Sequence, residues 1–255
     1  MITKGELKNK LLNGSTCYGH WVFMPYPEIV KIIGKSGFDF IVIDMEHSFT
    51  SLNQLPSLLD AATANNLCPL VRIPTSNSSD ILRTLDTGSY GIVVPHCETK
   101  EKLNMIVKDS KYFPLGNRGM AKSTKSGEYT NKFFKEYMNF ENENLINVVC
   151  LESKLSIDNI DELTDISGID VYYIGIYDLS ASLGLPGEVE NPKVLSELEK
   201  MVKKIRNSGK VVGTYTDTVE QAKKMRNLGI NFLTCQADGC LIRDSYENLL
   251  DNIKK

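Results

Sequence analysis

Histidine is scarce in this chain, with three residues in 255, His20, His47 and His96, so imidazole chemistry has few places to start. A basic surplus is also missing. The 29 Lys and Arg stand against 32 Asp and Glu, a net charge of -3, without the positive footprint that a phosphate backbone demands, so nucleic acid is not an expected partner. No apolar run approaches the roughly 20 residues that cross a bilayer. The opening MITKGELKNKLLNGS has no apolar stretch of the signal-peptide kind, so a cytoplasmic location without membrane contact is expected. The six cysteines, Cys17, Cys68, Cys97, Cys150, Cys235 and Cys240, form no CxxC pair, which removes the usual zinc and redox signatures. They lie mostly in or beside apolar segments, and a chain this long can bury a core without staples, so buried free thiols are expected.

What the sequence does have is a rhythm. Short β-branched runs at 16–23, 38–46, 69–74, 90–96, 145–153, 171–178, 211–216 and 231–238 alternate with amphipathic stretches at 27–37, 52–66, 79–88, 100–112, 156–167, 193–209, 219–229 and 243–255. Several of the helical patterns stop at a glycine, as at Gly37, Gly88, Gly209 and Gly229. Eight βα units in roughly 250 residues is the arithmetic of a TIM (β/α)8 barrel, here one domain over 1–255. A doubly wound open sheet is the competing architecture, but no GxGxxG follows the first strand. One interval breaks the rhythm, 113–144 after strand four, and its length points to a functional loop.

In such a barrel the C-terminal ends of the strands form the active face. Strand two finishes in Asp44, Glu46 and His47, strand three carries Arg72, strand four ends in His96, strand five in Glu152, strand six in Asp178 and strand eight in Asp238. Glu152 and Asp178 are one βα unit apart, which predicts similar heights on neighbouring strands about 4.8 Å apart. Two carboxylates that close repel unless a cation lies between them, and oxygen ligands suit a hard divalent ion. Pairing of each acid with a nearby Arg or Lys, or Asp178 as cap of the next helix, explains them equally well. His47 reads either as a base, with Arg72 as the fixed charge for a developing oxyanion, or as a loop-bonding residue. His96 is expected to be structural or peripheral, and His20 packed. A Schiff-base lysine is not evident: Lys210 falls at the wrong end of strand seven, and Lys154 is the one exception to consider.

The strings GFDFIVIDMEH (37–47), LVRIP (70–74), LDTGSYGIVVPH (85–96), YFPLGNRG (112–119), CLES (150–153) and YIGIYDLS (173–180) together resemble the class II pyruvate aldolases of the HpcH/HpaI aldolase and citrate lyase family. The resemblance covers nearly the whole chain. It implies a TIM barrel assembled as a homo-oligomer, a hexamer built from dimers, with the last helix exchanged between subunits. It also implies a metal-dependent lyase that cleaves or forms a 4-hydroxy-2-oxo acid from pyruvate and an aldehyde through a metal-bound enolate. Glu152 and Asp178 would hold the divalent ion, Mg²⁺, Mn²⁺ or Co²⁺. His47 would be the base, Arg72 would stabilise the enolate oxygen, and Asp86 would raise the basicity of the histidine. Asp86 falls near the end of a helix, at the barrel face opposite the strand ends, so it is expected to reach a neighbouring subunit's site. Two positions depart from the family pattern at the substrate. Tyr177 stands before Asp178 where many members have a small residue, and Cys150 stands where relatives commonly carry Gln. An acyl-CoA lyase of the citrate lyase type, with Arg118, Lys122 and Lys125 as its nucleotide patch, and a non-catalytic keto-acid-binding barrel are the other readings.

Overall fold

The eight runs read as strands pair in sequence order, all parallel, and close on themselves. They are β1 (Cys17–Val22), β2 (Phe40–Asp44), β3 (Cys68–Arg72), β4 (Gly91–Val94), β5 (Ile146–Leu151), β6 (Val171–Ile174), β7 (Val211–Thr216) and β8 (Phe232–Ala237). This (β/α)8 barrel is a computed structural model and describes residues 2–129 and 134–255. Closure leaves no open sheet edge and rules out the doubly wound alternative. Among the described residues no helix is long and apolar enough to cross a membrane.

Both faces of every strand are covered, which is why the strands read as continuous apolar runs. One alternation fills the lumen, where Phe40 stacks on Phe232 with ring centroids 4.1 Å apart. Gly19 faces this pair, and a Cβ there would come 2.1 Å from the Phe40 ring, so only glycine admits the stack. The other alternation packs against the surrounding helices, in a large cluster around β4 to β8 and a smaller one around β1 to β3.

Several details depart from the pattern read in the sequence. The helix Glu6–Leu12, with Leu7 and Leu11 buried, precedes β1 and was not expected. The stretch 156–167 is two short helices, Lys154–Asp158 and Ile160–Thr164, the first opened by Ser153, whose side chain accepts from the Ser156 N–H. Strand six is shorter than its apolar run suggested: it ends at Ile174, and a helix runs from Ile176 to Ser182.

The long interval lies at the end of the barrel opposite the expected active face, because it follows the helix Lys100–Ser110 rather than β4 directly. Residues 130–133 of it fall outside the described residues. Its buried Arg118 bonds Asp86 at 3.0 Å and Glu141 at 3.3 Å, and Glu141 takes Lys4 at 2.7 Å. Lys111 sends its ammonium to the backbone oxygen of Asn142 at 2.7 Å. These links fasten the interval and the helix Phe134–Asn144 beneath the barrel. None of its described residues lines the strand-end cleft of its own chain.

Candidate active site

Asp44 and Arg72 are direct partners in the β2–β3 register, so both side chains leave the strand ends at one height. Two hydrogen bonds of 2.7 Å, Nε to Oδ1 and Nη2 to Oδ2, join them in a fork. Asp44 is fully buried and also accepts the backbone N–H groups of Glu46 at 2.9 Å and His47 at 3.2 Å, so one carboxylate sets both the arginine and the loop after β2. The guanidinium lies 4.3 Å from the centre of the Trp21 ring and 3.2 Å from Glu46. Burial works against its charge, but Asp44 outweighs burial and holds the guanidinium above its ordinary pKa.

Glu152 is the buried acid of the site, 7% exposed and one residue beyond β5. Gly175 stands opposite it beyond β6, and a Cβ there would lie 2.6 Å from the Glu152 Cγ, so the glycine makes room for the carboxylate. Oε2 of Glu152 accepts the His96 backbone N–H at 2.9 Å and lies 3.1 Å from Nδ1 of the same residue. His96 does this from a left-handed backbone, φ 55°, immediately after Pro95. Its other ring nitrogen is 3.5 Å from Glu46, so the imidazole bridges two carboxylates. Burial raises the pKa of Glu152; the His96 N–H and ring pull it down, and Asp178 and Glu46 push it further up.

Asp178 is not on the strand. Gly175 precedes the helix Ile176–Ser182, and Asp178 is the third residue of that helix, exposed in its first turn. The expectation of two carboxylates at equal height on neighbouring strands is corrected accordingly, as is the capping alternative, since Gly175 holds the cap position. Asp178 remains close enough for its charge to act on Glu152. Neither acid has a Lys or Arg partner among the described residues.

These groups open onto a cleft of about 670 Å³ lined by Trp21, Arg72, Glu152, Tyr173, Asp178 and, on the far side, Tyr177, Tyr215 and Asp217. Beneath it, Trp21 Nε1 donates to Thr234 Oγ1 at 2.9 Å, and the Tyr173 hydroxyl lies 2.6 Å from the same oxygen, a satisfied polar floor. On the far wall the Tyr177 hydroxyl donates to Asp217. Burial, with Asp217 beside it, pushes the Tyr177 phenol up to about 12. Asp238 is spent on structure: it accepts the N–H groups of Phe23 and Met24 and fastens the end of β1 to the helix Asp238–Lys254.

The structure thus brings Arg72, Glu152, Asp178 and Tyr177 into one cleft, and leaves other expected residues outside it. His47 is exposed in the loop after β2, with Nε2 3.9 Å from Glu46. Asp86 is at the opposite end of the barrel, on Arg118, as its helix-end position implied. Cys150 sits one inward position below Glu152, 1% exposed, beneath the cleft rather than on its wall. Burial raises its thiol pKa well above the ordinary value, with Arg72 opposing. All six cysteines are free and four are buried, but Cys235 is partly accessible and Cys240 exposed at the cleft.

His20 is packed as expected, with Nδ1 2.7 Å from the Cys235 oxygen. Lys154 is an exposed helix residue 3.6 Å from Asp158, and Lys210 bonds carbonyls just before β6, so neither projects into the barrel. The nucleotide patch is largely used up: Arg118 is paired internally, and Lys125 holds Asp60 at 2.6 Å. Sequence reasoning passed over His96 as a contact of Glu152 and Asp217 altogether. Asp217 follows the apolar run of β7, the same strand-end address as the other acids, and that signal was available.

A divalent ion fits Glu152 and Asp178. They present two carboxylates with no Lys or Arg between them among the described residues, and burial, with the Asp178 charge adding to it, pushes Glu152 toward protonation. Among the described residues no group of three or more His, Cys, Asp or Glu could hold a metal by itself. Two carboxylates with water and substrate completing the shell is the way Mg²⁺-like ions are commonly bound.

Comparison with known proteins places the fold and the family. The profile of the HpcH/HpaI aldolase/citrate lyase family matches residues 18–245. A 2-keto-3-deoxy-L-rhamnonate aldolase of Escherichia coli (strain K12) is 30% identical over 253 residues, 99% of this chain and 94% of the relative. Among solved structures, an HpcH/HpaI aldolase from Desulfitobacterium hafniense DCB-2 superposes with a TM-score of 0.92 at 27% identity, covering 98% of this chain and 96% of that one. The citrate synthase SbnG superposes with a TM-score of 0.88 at 29% identity, over 97% of each chain.

Proposed function

Because the chain belongs to the HpcH/HpaI aldolase/citrate lyase family, we propose that it is a metal-dependent aldolase that cleaves a 4-hydroxy-2-oxo acid to pyruvate and an aldehyde, or joins the two. The observation that carries this reading is the Glu152 carboxylate. It is buried, has no Arg or Lys partner among the described residues, and lies beside Asp178 in the cleft that also holds Arg72.

Glu152 and Asp178 hold the divalent ion, Mg²⁺ or Mn²⁺, with Co²⁺ also suited to the site. When bound, the ion supplies Lewis-acid stabilisation of negative charge on the oxygens of the 2-oxo acid. Arg72, fixed by Asp44 and Trp21, offers its guanidinium to the C2 oxygen as charge gathers there. His47 takes the proton from the C4 hydroxyl; the C3–C4 bond breaks, the aldehyde forms from C4, and the bonding pair passes to C3 as the enolate. Proton return to C3 gives pyruvate. His96 holds Glu152 in place through two contacts on one oxygen. Tyr177 forms the far wall, and Cys150 fills the space under Glu152 without an amide to offer.

His47 and Asp86 support assembly of the site between subunits. His47 is exposed, and Asp86 lies at the opposite end of its own barrel with Arg118. The two meet when the strand-end face of one copy receives the lower end of another. The helix Asp238–Lys254 supports the same assembly. Asp238 is its one buried residue, and Tyr246, Leu249, Leu250 and Ile253 form an exposed ridge at helical spacing. An apolar groove lined by Tyr18, Phe38, Val219 and Leu241 lies outside β1 and β8, where a last helix from a second copy would pack. The homo-oligomer, a hexamer in the manner the resemblance implies, works in the reducing cytoplasm, where six free thiols stay reduced.

Similarity to a citrate synthase favours a second reading, in which the same enolate chemistry acts on an acyl thioester. A coupled assay decides between them. The enzyme with Mg²⁺ or Mn²⁺ should release pyruvate from a 4-hydroxy-2-oxo acid and stop when EDTA is added. Release of CoA from acetyl-CoA and a 2-oxo acid, with no pyruvate formed, would support the second reading instead.

A further inference from the structure

The wall of the cleft opposite Glu152 is polar in a way the cleavage step does not use. Asp217 follows β7, and its backbone is held on both sides: its N–H donates to Gln221 Oε1 at 2.8 Å, and its carbonyl accepts from Gln236 Nε2 at 2.8 Å. Its carboxylate receives the Tyr177 hydroxyl and has no cationic partner among the described residues. The Tyr177 ring in turn meets Tyr215 edge-on, with centroids 6.0 Å apart at 66°. The result is a fixed carboxylate and a fixed phenol facing the same cleft as Arg72, Glu152 and Asp178. Arg243, which also lines this cleft, is 68% exposed and already engaged by Asp244 at 2.9 Å and Glu247 at 3.6 Å on its own helix.

We propose that the Tyr177–Asp217 pair selects the aldehyde half of the substrate, favouring a neutral hydroxylated aldehyde over one that carries a carboxylate or a plain alkyl chain. This rests on the aldolase reading above. With the 2-oxo acid end at Arg72 and Glu152 on the β3 to β5 side, the chain beyond C4 extends across the cleft toward β6 and β7. A hydroxyl arriving there donates to Asp217 or to the Tyr177 oxygen, whose own proton is given to Asp217. A carboxylate meets a like charge with no fixed cation to offset it. An alkyl chain strips water from Asp217 and gives nothing back.

The test is the condensation of pyruvate with three aldehydes of similar length, glyceraldehyde, butanal and succinic semialdehyde, in the full-length enzyme with saturating Mg²⁺ or Mn²⁺. The wild type should show a kcat/KM for glyceraldehyde about tenfold or more above the other two, the scale of one hydrogen bond to a charged group. Asp217→Asn, which removes the repelling charge, should lower the glyceraldehyde to succinic semialdehyde ratio about tenfold. Tyr177→Phe should lower the glyceraldehyde to butanal ratio, and it keeps the proposal testable if the Asp217 variant does not fold. A wild-type preference for succinic semialdehyde or butanal, or ratios unmoved in both folded variants, overturns the proposal. Exchange of the pyruvate methyl protons in D₂O needs no aldehyde and separates the two failures. If exchange occurs but the ratios do not respond, this inference alone falls; if no divalent ion supports exchange, the aldolase reading falls and the inference with it.

Discussion

Asp44 and Arg72 face each other across the β2–β3 register, and the two hydrogen bonds between them make the guanidinium the best-fixed positive charge at the strand ends. The same carboxylate carries the two backbone N–H groups that shape the loop to His47. One buried acid thus positions both the charge proposed for the enolate oxygen and the chain that bears the proposed base.

Asp44→Ala should therefore damage stability and activity together. Removing one member of a buried ion pair costs about 3–5 kcal/mol. Urea unfolding should show the midpoint falling with an unchanged slope, and kcat should fall in protein that is still folded. A variant of wild-type stability would show that Glu46 alone satisfies the arginine.

Gly175→Ala tests the placement of Glu152. The new methyl would sit 2.6 Å from Glu152 Cγ, so the carboxylate must move while the barrel stays closed. Metal-dependent activity should fall by about a hundredfold, the scale for a misplacement near 1 Å. The apparent metal affinity should weaken, with far-ultraviolet circular dichroism unchanged.

Shared sites predict complementation. His47→Ala and Asp86→Ala enzymes should each be nearly inactive. Subunits mixed under reversible dissociation should regain activity, because some sites then pair an intact His47 with an intact Asp86 from another copy. Asp86→Ala should also lower stability, since it leaves buried Arg118 with Glu141 as its remaining carboxylate. No recovery on mixing would return both residues to roles within one chain.

Lys111 gives a pH signature in stability. Burial lowers its pKa from 10.5 to about 8. Below pH 8 the ammonium is charged in both folded and unfolded chains, and the fold bears the cost of burying it. Between pH 8 and 10.5 the unfolded chain holds more of this proton than the folded one, so this contribution makes the fold more stable as pH rises. The full relief corresponds to about 3 kcal/mol. Lys111→Met lacks it, so the stability difference between wild type and variant should shift in favour of the wild type across that window. Parallel profiles would mean that Lys111 titrates normally.

The barrel was legible because strand order and periodicity are local, and so were Arg72, Glu152 and Asp178, which stand where apolar runs give way to charge. What was not legible depends on backbone torsion and distant contacts. The left-handed turn that folds His96 onto Glu152 leaves no mark in composition. The start of a helix at Ile176 moved Asp178 off the strand. The pairing of Arg118 with Asp86 spans 32 positions, and it helps fasten the interval read as a functional loop beneath the barrel. Asp217 differs from these, since its strand-end address was in plain view.

The central claim is that Glu152 and Asp178 hold the ion that lets this site form the enolate of pyruvate. Incubating the protein with pyruvate in D₂O and following the methyl signal by NMR tests it most directly. The signal should decay with Mg²⁺ or Mn²⁺, should persist with EDTA, and should persist with metal in the Glu152→Gln variant. Exchange that survives in that variant, or that fails in the wild type with every divalent ion, would contradict the account.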